Sequence, residues 1–230
     1  MPRPRKNAEN FDFVDFFKAV TFDRTKPLGP QVYSEVRLQI VLSNIPPETQ
    51  VNEPVLSHAL NVSRTPMRYA YQKLISEQLI VSRPRSGSMV AGHSEKLIRD
   101  GIIIRRALER EIVRILCISQ VDLTPLDPIL KEQRDAVQEQ DHVAYFKADE
   151  RFHKMLAKLA DLSVAWKLAL AAKGHTDRAR LSLMSKDSSR LNRAFTEHIE
   201  LIVALETGNN TQAETLISRH VDAILQYFPE

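Results

Sequence analysis

The stretch NVSRTPMRYAYQKL, Asn61 to Leu74, decides how the front of the chain is read. Two arginines and a lysine flank a proline at what has the marks of a helix start, and Ala70, Tyr71, Leu74 and Ile75 follow as an apolar back. Asn61 is one of the few non-glycine residue types that tolerate the left-handed conformation of a tight turn. Ser63 or Thr65 can cap the helix, and Pro66 falls in its first turn, where a missing N–H costs nothing. Arg64 and Arg68 therefore project from the opening turns, while Ala70, Leu74 and Ile75 are expected to bury.

Outward from this stretch the pattern continues in both directions. Upstream, Val55, Leu56 and Leu60 mark a helix over about 53–60. Before it, Val32, Val36 and Ile40 recur four apart from Gly29 until the two prolines of SNIPPETQ end the run. Downstream, LIVSRPRSGSMVAG reads as two short apolar runs about a Pro/Ser/Gly turn, a hairpin. Helix, helix, turn, helix, hairpin is the layout of a winged helix-turn-helix. In it the first turns of the recognition helix enter the major groove, where arginine reaches guanine or clamps phosphate. Charge agrees with that role: residues 1–93 carry 12 Lys+Arg against 8 Asp+Glu, and between Asn61 and Gly92 the only acid is Glu77. The domains expected are a tail over 1–28, the DNA-binding unit over 29–92, and an α-helical effector-binding and dimerisation domain over 93–230. Five of the nine phenylalanines fall in the tail and should dock on the protein's own core or on a partner subunit, because so many rings are seldom left in water; Arg3, Arg5 and Lys6 before them form a basic tip.

Beyond Ser94 there is no alternating β pattern and no glycine-rich loop. Helical patterns broken at DLTP, QEQD, ADLS, KDSS and TGNN give six helices, about 95–118, 124–138, 141–160, 163–186, 188–206 and 209–227. The fold class is thus mainly α, a winged helix-turn-helix with a small β-hairpin wing followed by an all-α bundle. No apolar run reaches the ~20 residues of a membrane span, and Asp12, Asp15 and Lys18 interrupt what would be the apolar core of a signal peptide, so a cytoplasmic protein without a membrane partner is expected. The single cysteine, Cys117, sits in an apolar helical run as a buried structural thiol.

Three histidines in this half carry chemistry. YFKADERFHKML sets Asp149 and His153 four apart on one helix face, and His198 and His220 each lie on the apolar stripe of their own helix. An inward imidazole can be simply a hydrogen-bonded core residue. Three of them with a carboxylate at i−4 also suit a divalent metal ion such as Zn, Ni or Mn in a bundle interior. Spacing leaves both readings open. His58 and His142 fall on exposed faces, His93 in the linker and His175 on a polar stretch.

The residues VSRTPMRYAYQKLISEQLIVSRPRSGSMV resemble the DNA-binding signature of the GntR superfamily of bacterial transcription regulators. The resemblance implies that Arg64, Thr65 and Arg68 contact DNA and that Gly87, with its neighbour Arg85, forms the wing tip. Tyr69 stands where the family often has Glu, Tyr71 where it often has Leu, and Ser43-Asn44 and Glu48 where it often has glycines. The D-x-x-x-H, E-H and following histidine resemble the FCD effector domain of the FadR branch, whose metal ligands map onto Asp149, His153, His198 and His220. Six helices resemble its VanR-like form. An R-x-x-L-E match implies that Arg105 faces a ligand pocket and pairs with a carboxylate.

Together these imply a homodimeric regulator of a double-stranded DNA operator, controlled by a small carboxylate effector at the metal site, with the SGSMVAGHSE linker transmitting the change. One alternative is a regulator in which the metal is itself the signal or a structural staple, with no organic effector. Another class is a metal-dependent hydrolase, which lacks an obvious general base because Glu150 lies about 100° round the helix from Asp149.

Overall fold

A computed structural model describes residues 11–83 and 87–228. By its contacts the chain divides between Ser94 and Glu95 into two compact units. The first holds α1 (Phe13–Phe17), α2 (Leu28–Val41), α3 (Glu53–Ala59), α4 (Arg64–Ser76), β1 (Ile80–Arg83) and β2 (Gly87–Val90). The second holds α5 (Glu95–Ser119), α6 (Asp127–Gln138), α7 (His142–Leu159), α8 (Ser163–Ala172), α9 (Gly174–Met184), α10 (Ser189–Glu206) and α11 (Asn210–Asp222), with short 3-10 turns at Thr124–Leu126 and Leu225–Tyr227. No helix among the described residues is long and apolar enough to cross a membrane.

In the first unit α2 packs on α4, and α3 packs on both α1 and α4. Asn61 takes φ 48° in the turn before α4, as a left-handed residue must to reverse the chain there. Ser63 is the residue preceding the helix, in extended conformation and without a side-chain capping bond. Met67, Ala70, Tyr71 and Leu74 are buried, but Ile75 is 42% exposed, contrary to the sequence expectation. Ile75 sits about a quarter turn from the centre of the apolar stripe, whereas Tyr71 lies nearer it and its phenol donates to the Val51 carbonyl at 3.1 Å. A leucine could fill that space but could not satisfy the carbonyl. β1 and β2 pair antiparallel from Ile80–Val90 to Arg83–Gly87, and the backbone of residues 48–51 bonds along the other edge of β2. Phe13 and Phe17 are buried, so two rings of the aromatic tail belong to this unit's own core, while Phe11, Phe16 and Phe22 are half-buried.

Glu77, the one acid in the basic stretch, is buried. Its carboxylate takes an Arg37 Nε–H at 2.8 Å and a short hydrogen bond from Tyr33. Its charge is thereby withdrawn from the surface that α4 presents. Ser43 and Glu48 have φ 59° and 68°, the left-handed backbone that glycine adopts without strain, at a cost of roughly 1–2 kcal/mol for each side chain.

The second unit is a bundle in which α5 packs against α7, α8, α9, α10 and α11 around Ile112, Val113, Leu116, Phe152, Leu156, Leu201, Leu205 and Ile217. Cys117 lies in the same core. The helix count is seven among the described residues rather than six, because the expected helix over 163–186 is two, interrupted at Lys173. Two contacts belong to that interruption. Gly101 of α5 comes so close that a Cβ there would stand 2.6 Å from the Ala172 carbonyl oxygen. The Lys173 ammonium, fully buried, is paired with Glu150 and lies 2.8 Å from Asp177. The Asp141 carboxylate caps α7 by accepting from the amides of Val143 and Ala144, and so sets the rotation of the helix that carries Asp149 and His153.

Candidate functional site

Asp149 and His153 stand one turn apart on α7, His198 projects from α10 and His220 from α11; each is at most 7% exposed. The three Nε2 atoms lie 3.7, 3.7 and 3.8 Å from the same oxygen, Asp149 Oδ1. All four donor atoms fall within 4.8 Å of one another. Spacings near 3.7 Å are a few tenths wider than the roughly 3.4 Å between ligands placed tetrahedrally about an ion at ~2.1 Å.

The other ring nitrogens explain why these atoms point inward. His198 Nδ1 meets Gln133 Oε1 at 2.9 Å, from α6, and His220 Nδ1 meets Glu197 Oε2 at 2.9 Å, from α10. His153 Nδ1 lies 2.9 Å from Glu109 Oε2, from α5. Carboxylate and amide oxygens only accept, so His198 and His220 carry the proton on Nδ1 and turn an Nε2 lone pair toward Asp149. The Glu109 carboxylate favours the same tautomer for His153, whose Nδ1 is close to it but not aligned for a hydrogen bond. None of the three Nε2 atoms has a hydrogen-bond partner. Three lone pairs and a carboxylate oxygen gathered away from water repel one another unless a cation lies between them, so the residues fit a divalent ion with imidazole and carboxylate ligands.

Cationic groups complete the surroundings. Arg180 of α9 donates both terminal nitrogens to Asp149, each at 3.0 Å. Arg105, fully buried, donates Nε–H to Glu109 at 2.7 Å, and its Nη2 has no partner. Burial alone would push the Asp149 carboxyl up, yet Arg180 and the neighbouring histidines hold it well below the usual carboxylate range. Burial also raises the Glu109 carboxyl, and Arg105 with His153 reverses this and keeps it ionised. Burial, then the neighbouring His220, pushes His198 well down, and burial pushes His220 down, so both favour the neutral ring a metal ligand needs. His153 moves the other way: burial lowers it, but Glu109 and Asp149 together raise it. Glu150, the carboxylate beside Asp149, is taken up by Lys173.

All four residues expected at a metal site thus converge, and Arg105 joins them through Glu109. Arg180, Gln133 and Glu197 are additions. Gln133 had a signal in the sequence, a polar side chain on the stripe Ile129, Gln133, Ala136; Arg180 had none, because α9 has no continuous apolar face. Among the remaining histidines, His58 and His93 are exposed, His142 is half-buried and His175 is buried.

In the other unit Arg64, Thr65, Arg68, Tyr69 and Gln72 line one shallow depression on α4. Arg68 Nε is 3.8 Å from Glu53, a loose exposed pair. Gly87 opens β2 with φ +72° and has nothing within 4 Å of where a Cβ would stand. Arg85 lies outside the described residues.

Comparison with known proteins agrees on both units. Residues 28–90 match the family described as bacterial regulatory proteins, gntR family, and residues 102–223 match the FCD domain. The HTH-type transcriptional repressor RspR of Escherichia coli K12 is 32% identical over 203 residues, covering 87% of this chain and 88% of that protein. The gluconate operon transcriptional repressor of Bacillus subtilis is 30% identical over 139 residues, 59% of this chain and 56% of that one. A GntR transcriptional regulator structure from Rhodococcus sp. RHA1 superposes with TM-score 0.71 at 25% identity, over 87% of this chain and 97% of that one. E. coli McbR/YncC superposes with TM-score 0.74 at 16% identity, over 88% and 99%, and shares the fold. The chain belongs to the GntR superfamily of helix-turn-helix transcription regulators, with an FCD domain as its C-terminal unit.

Proposed function

We propose that this regulator binds operator DNA as a homodimer through α4 and the wing, and that its FCD unit is organised by one divalent metal ion held by Asp149, His153, His198 and His220. The observation that carries the metal reading is the set of three Nε2 atoms, none with a hydrogen-bond partner, facing one carboxylate oxygen. When bound, the ion supplies positive charge and open coordination positions; Glu109, Gln133 and Glu197 orient the imidazoles and Arg180 orients the carboxylate. The relatives named as repressors support repression as the mode of action. The general behaviour of the motif, in which each recognition helix of a dimer reads one half-site, supports the homodimer.

A carboxylate effector is a second reading, and charge favours it. Arg105 and Arg180 face three carboxylates, Asp149, Glu109 and Glu197, so a divalent ion leaves the site with one surplus positive charge that an anion would offset. The unpartnered Arg105 Nη2 is a donor for such an anion, and the linker between the units would pass the change to α4. A cleft of about 40 Å³, lined by Arg180, Arg193, Glu197 and His220 among others, leads toward the site; that volume has room for only a few waters, so an acid would require side chains to move.

The test combines metal analysis of the purified protein with mobility shifts on fragments upstream of its own and neighbouring operons, before and after chelation. About one metal ion per chain, with binding that weakens on chelation, is the expected result; metal-free protein that takes up no ion on titration sinks the metal reading. Thermal shifts of metal-loaded protein across organic acids separate the two readings: stabilisation by metal and by no acid leaves the ion as signal or staple.

A further inference from the structure

The recognition helix carries more polar chemistry than its arginines. With about 100° between successive residues, Thr65 and Gln72 fall within roughly 20° of each other, on the side opposite the buried stripe of Met67, Ala70, Tyr71 and Leu74. Arg68 and Tyr69 flank them. Gln72 is therefore at the apex of the exposed face, lining the same depression as Arg64, Thr65 and Arg68.

Its amide is also uncommitted. Elsewhere on the surface, long polar side chains are used internally: Gln39 donates to Glu35, Gln120 to the Cys117 carbonyl, and Arg110, Arg151 and Arg219 to glutamates of neighbouring helices. Gln72 makes no such bond among the described residues, and Ser76, one turn on, gives its hydroxyl to the Lys73 carbonyl. Tyr69 stands beside it, 43% exposed, with its ring seated over Gly29 so closely that a Cβ at Gly29 would meet Tyr69 Cδ1 at 2.8 Å. Its hydroxyl has no partner among the described residues either.

We infer that Gln72 is a specificity-determining residue that reads an adenine in the major groove, and that Tyr69 contacts the sugar–phosphate backbone at the groove wall. The inference rests on the DNA-regulator reading above. Glutamine has one donor and one acceptor at the spacing of adenine N7 and N6, which gives a paired contact that no other base reproduces. Four residues of helix separate it from Arg68, about 6 Å along the axis, so its adenine lies roughly two base pairs beyond the Arg68 contact. A phenol at the edge of the face reaches backbone oxygens, which carry no sequence information, so its loss lowers affinity evenly across sequences.

The experiment selects binding sites from a random duplex pool with full-length wild type, Gln72→Ala, Gln72→Glu and Tyr69→Phe. Wild type should return a half-site with one A·T pair preferred roughly tenfold that flattens in Gln72→Ala, while binding to unrelated duplex is unchanged. In Gln72→Glu the same position should shift toward cytosine, whose N4 amine a carboxylate accepts. Tyr69→Phe should keep the wild-type motif and bind every sequence severalfold more weakly. Melting curves that match wild type establish that each variant is folded. Identical motifs from wild type and both Gln72 variants overturn the assignment of Gln72, and an altered motif in Tyr69→Phe overturns that of Tyr69. A wild-type pool with no motif overturns the DNA-regulator reading beneath them, so the failures are told apart.

Discussion

The exposed face of α4 and the interior of the α7–α10–α11 cluster are both rich in polar side chains, and they use them in opposite ways. On α4 the groups stand in water with weak or no protein partners, and any hydrogen bond they can make is left for another molecule. In the cluster every imidazole has its Nδ1 beside an oxygen and the carboxylate is gripped by Arg180, while the three Nε2 atoms face that carboxylate without a hydrogen-bond partner. A surface that reads a polymer can stay loosely held, because the partner completes it. A buried ion site must be oriented in advance, because unpaired polar atoms away from water cost roughly 1–3 kcal/mol each.

The contrast is broken most severely by removing the groups that wait for DNA. Arg64→Ala with Arg68→Ala should weaken operator binding by about 30-fold or more, since each arginine contact contributes about 1–3 kcal/mol, and should flatten the dependence on salt. The melting temperature should stay within a degree or two of wild type, as both side chains are exposed. A fluorescence-anisotropy titration at several salt concentrations reads this, and operator affinity equal to wild type would refute the assignment of α4.

The cluster should respond in stability rather than in direct contact with DNA. If metal is present at about 1,000 times its dissociation constant, chelation removes ~4 kcal/mol and lowers the Tm by roughly 10 °C. A melting temperature indifferent to chelator and to added Zn, Ni or Mn would mean that the imidazoles are ordinary core residues. Smaller still is the effect of one orienting group. Glu197→Ala releases His220 Nδ1 and should weaken metal affinity by about 10- to 100-fold. The only tryptophan, Trp166, stacks parallel to His153 at 6.2 Å, so its quenching by added Ni or Cu follows the titration directly.

The smallest effect belongs to neither face but to the frame that holds α4. Ser43→Gly and Glu48→Gly should each stabilise the protein by about 0.5–1 kcal/mol, because both residues already occupy left-handed backbone. Urea denaturation measures this; a loss of stability at either position would mean that its side chain contributes more than its backbone costs.

How far the sequence reached depended on the range of the interaction behind each feature. The helix-turn-helix is written in neighbours: Asn61 for the turn, Pro66 for the first helical turn, and residues three and four apart for the buried stripe. At the stripe's edge, where burial depends on what lies opposite, the reading exchanged Ile75 for Tyr71. The wing hairpin and the breaks between the bundle helices, apart from the one at Lys173, were legible for the same local reason. Helical spacing also predicted that Asp149 and His153 share a face and that His198 and His220 turn inward.

By itself, then, the amino-acid sequence determined the helical register, the turn chemistry and the residues whose chemistry is available. Tertiary structure alone decided that four donor atoms from three helices meet within 4.8 Å, that Arg180 grips their carboxylate, and that one expected helix breaks at Lys173 where Gly101 meets the Ala172 backbone. The physical reason is that hydrogen bonding and periodicity act over a turn or two of chain, whereas a buried charge is satisfied by whatever packing brings beside it, from any distance along the sequence.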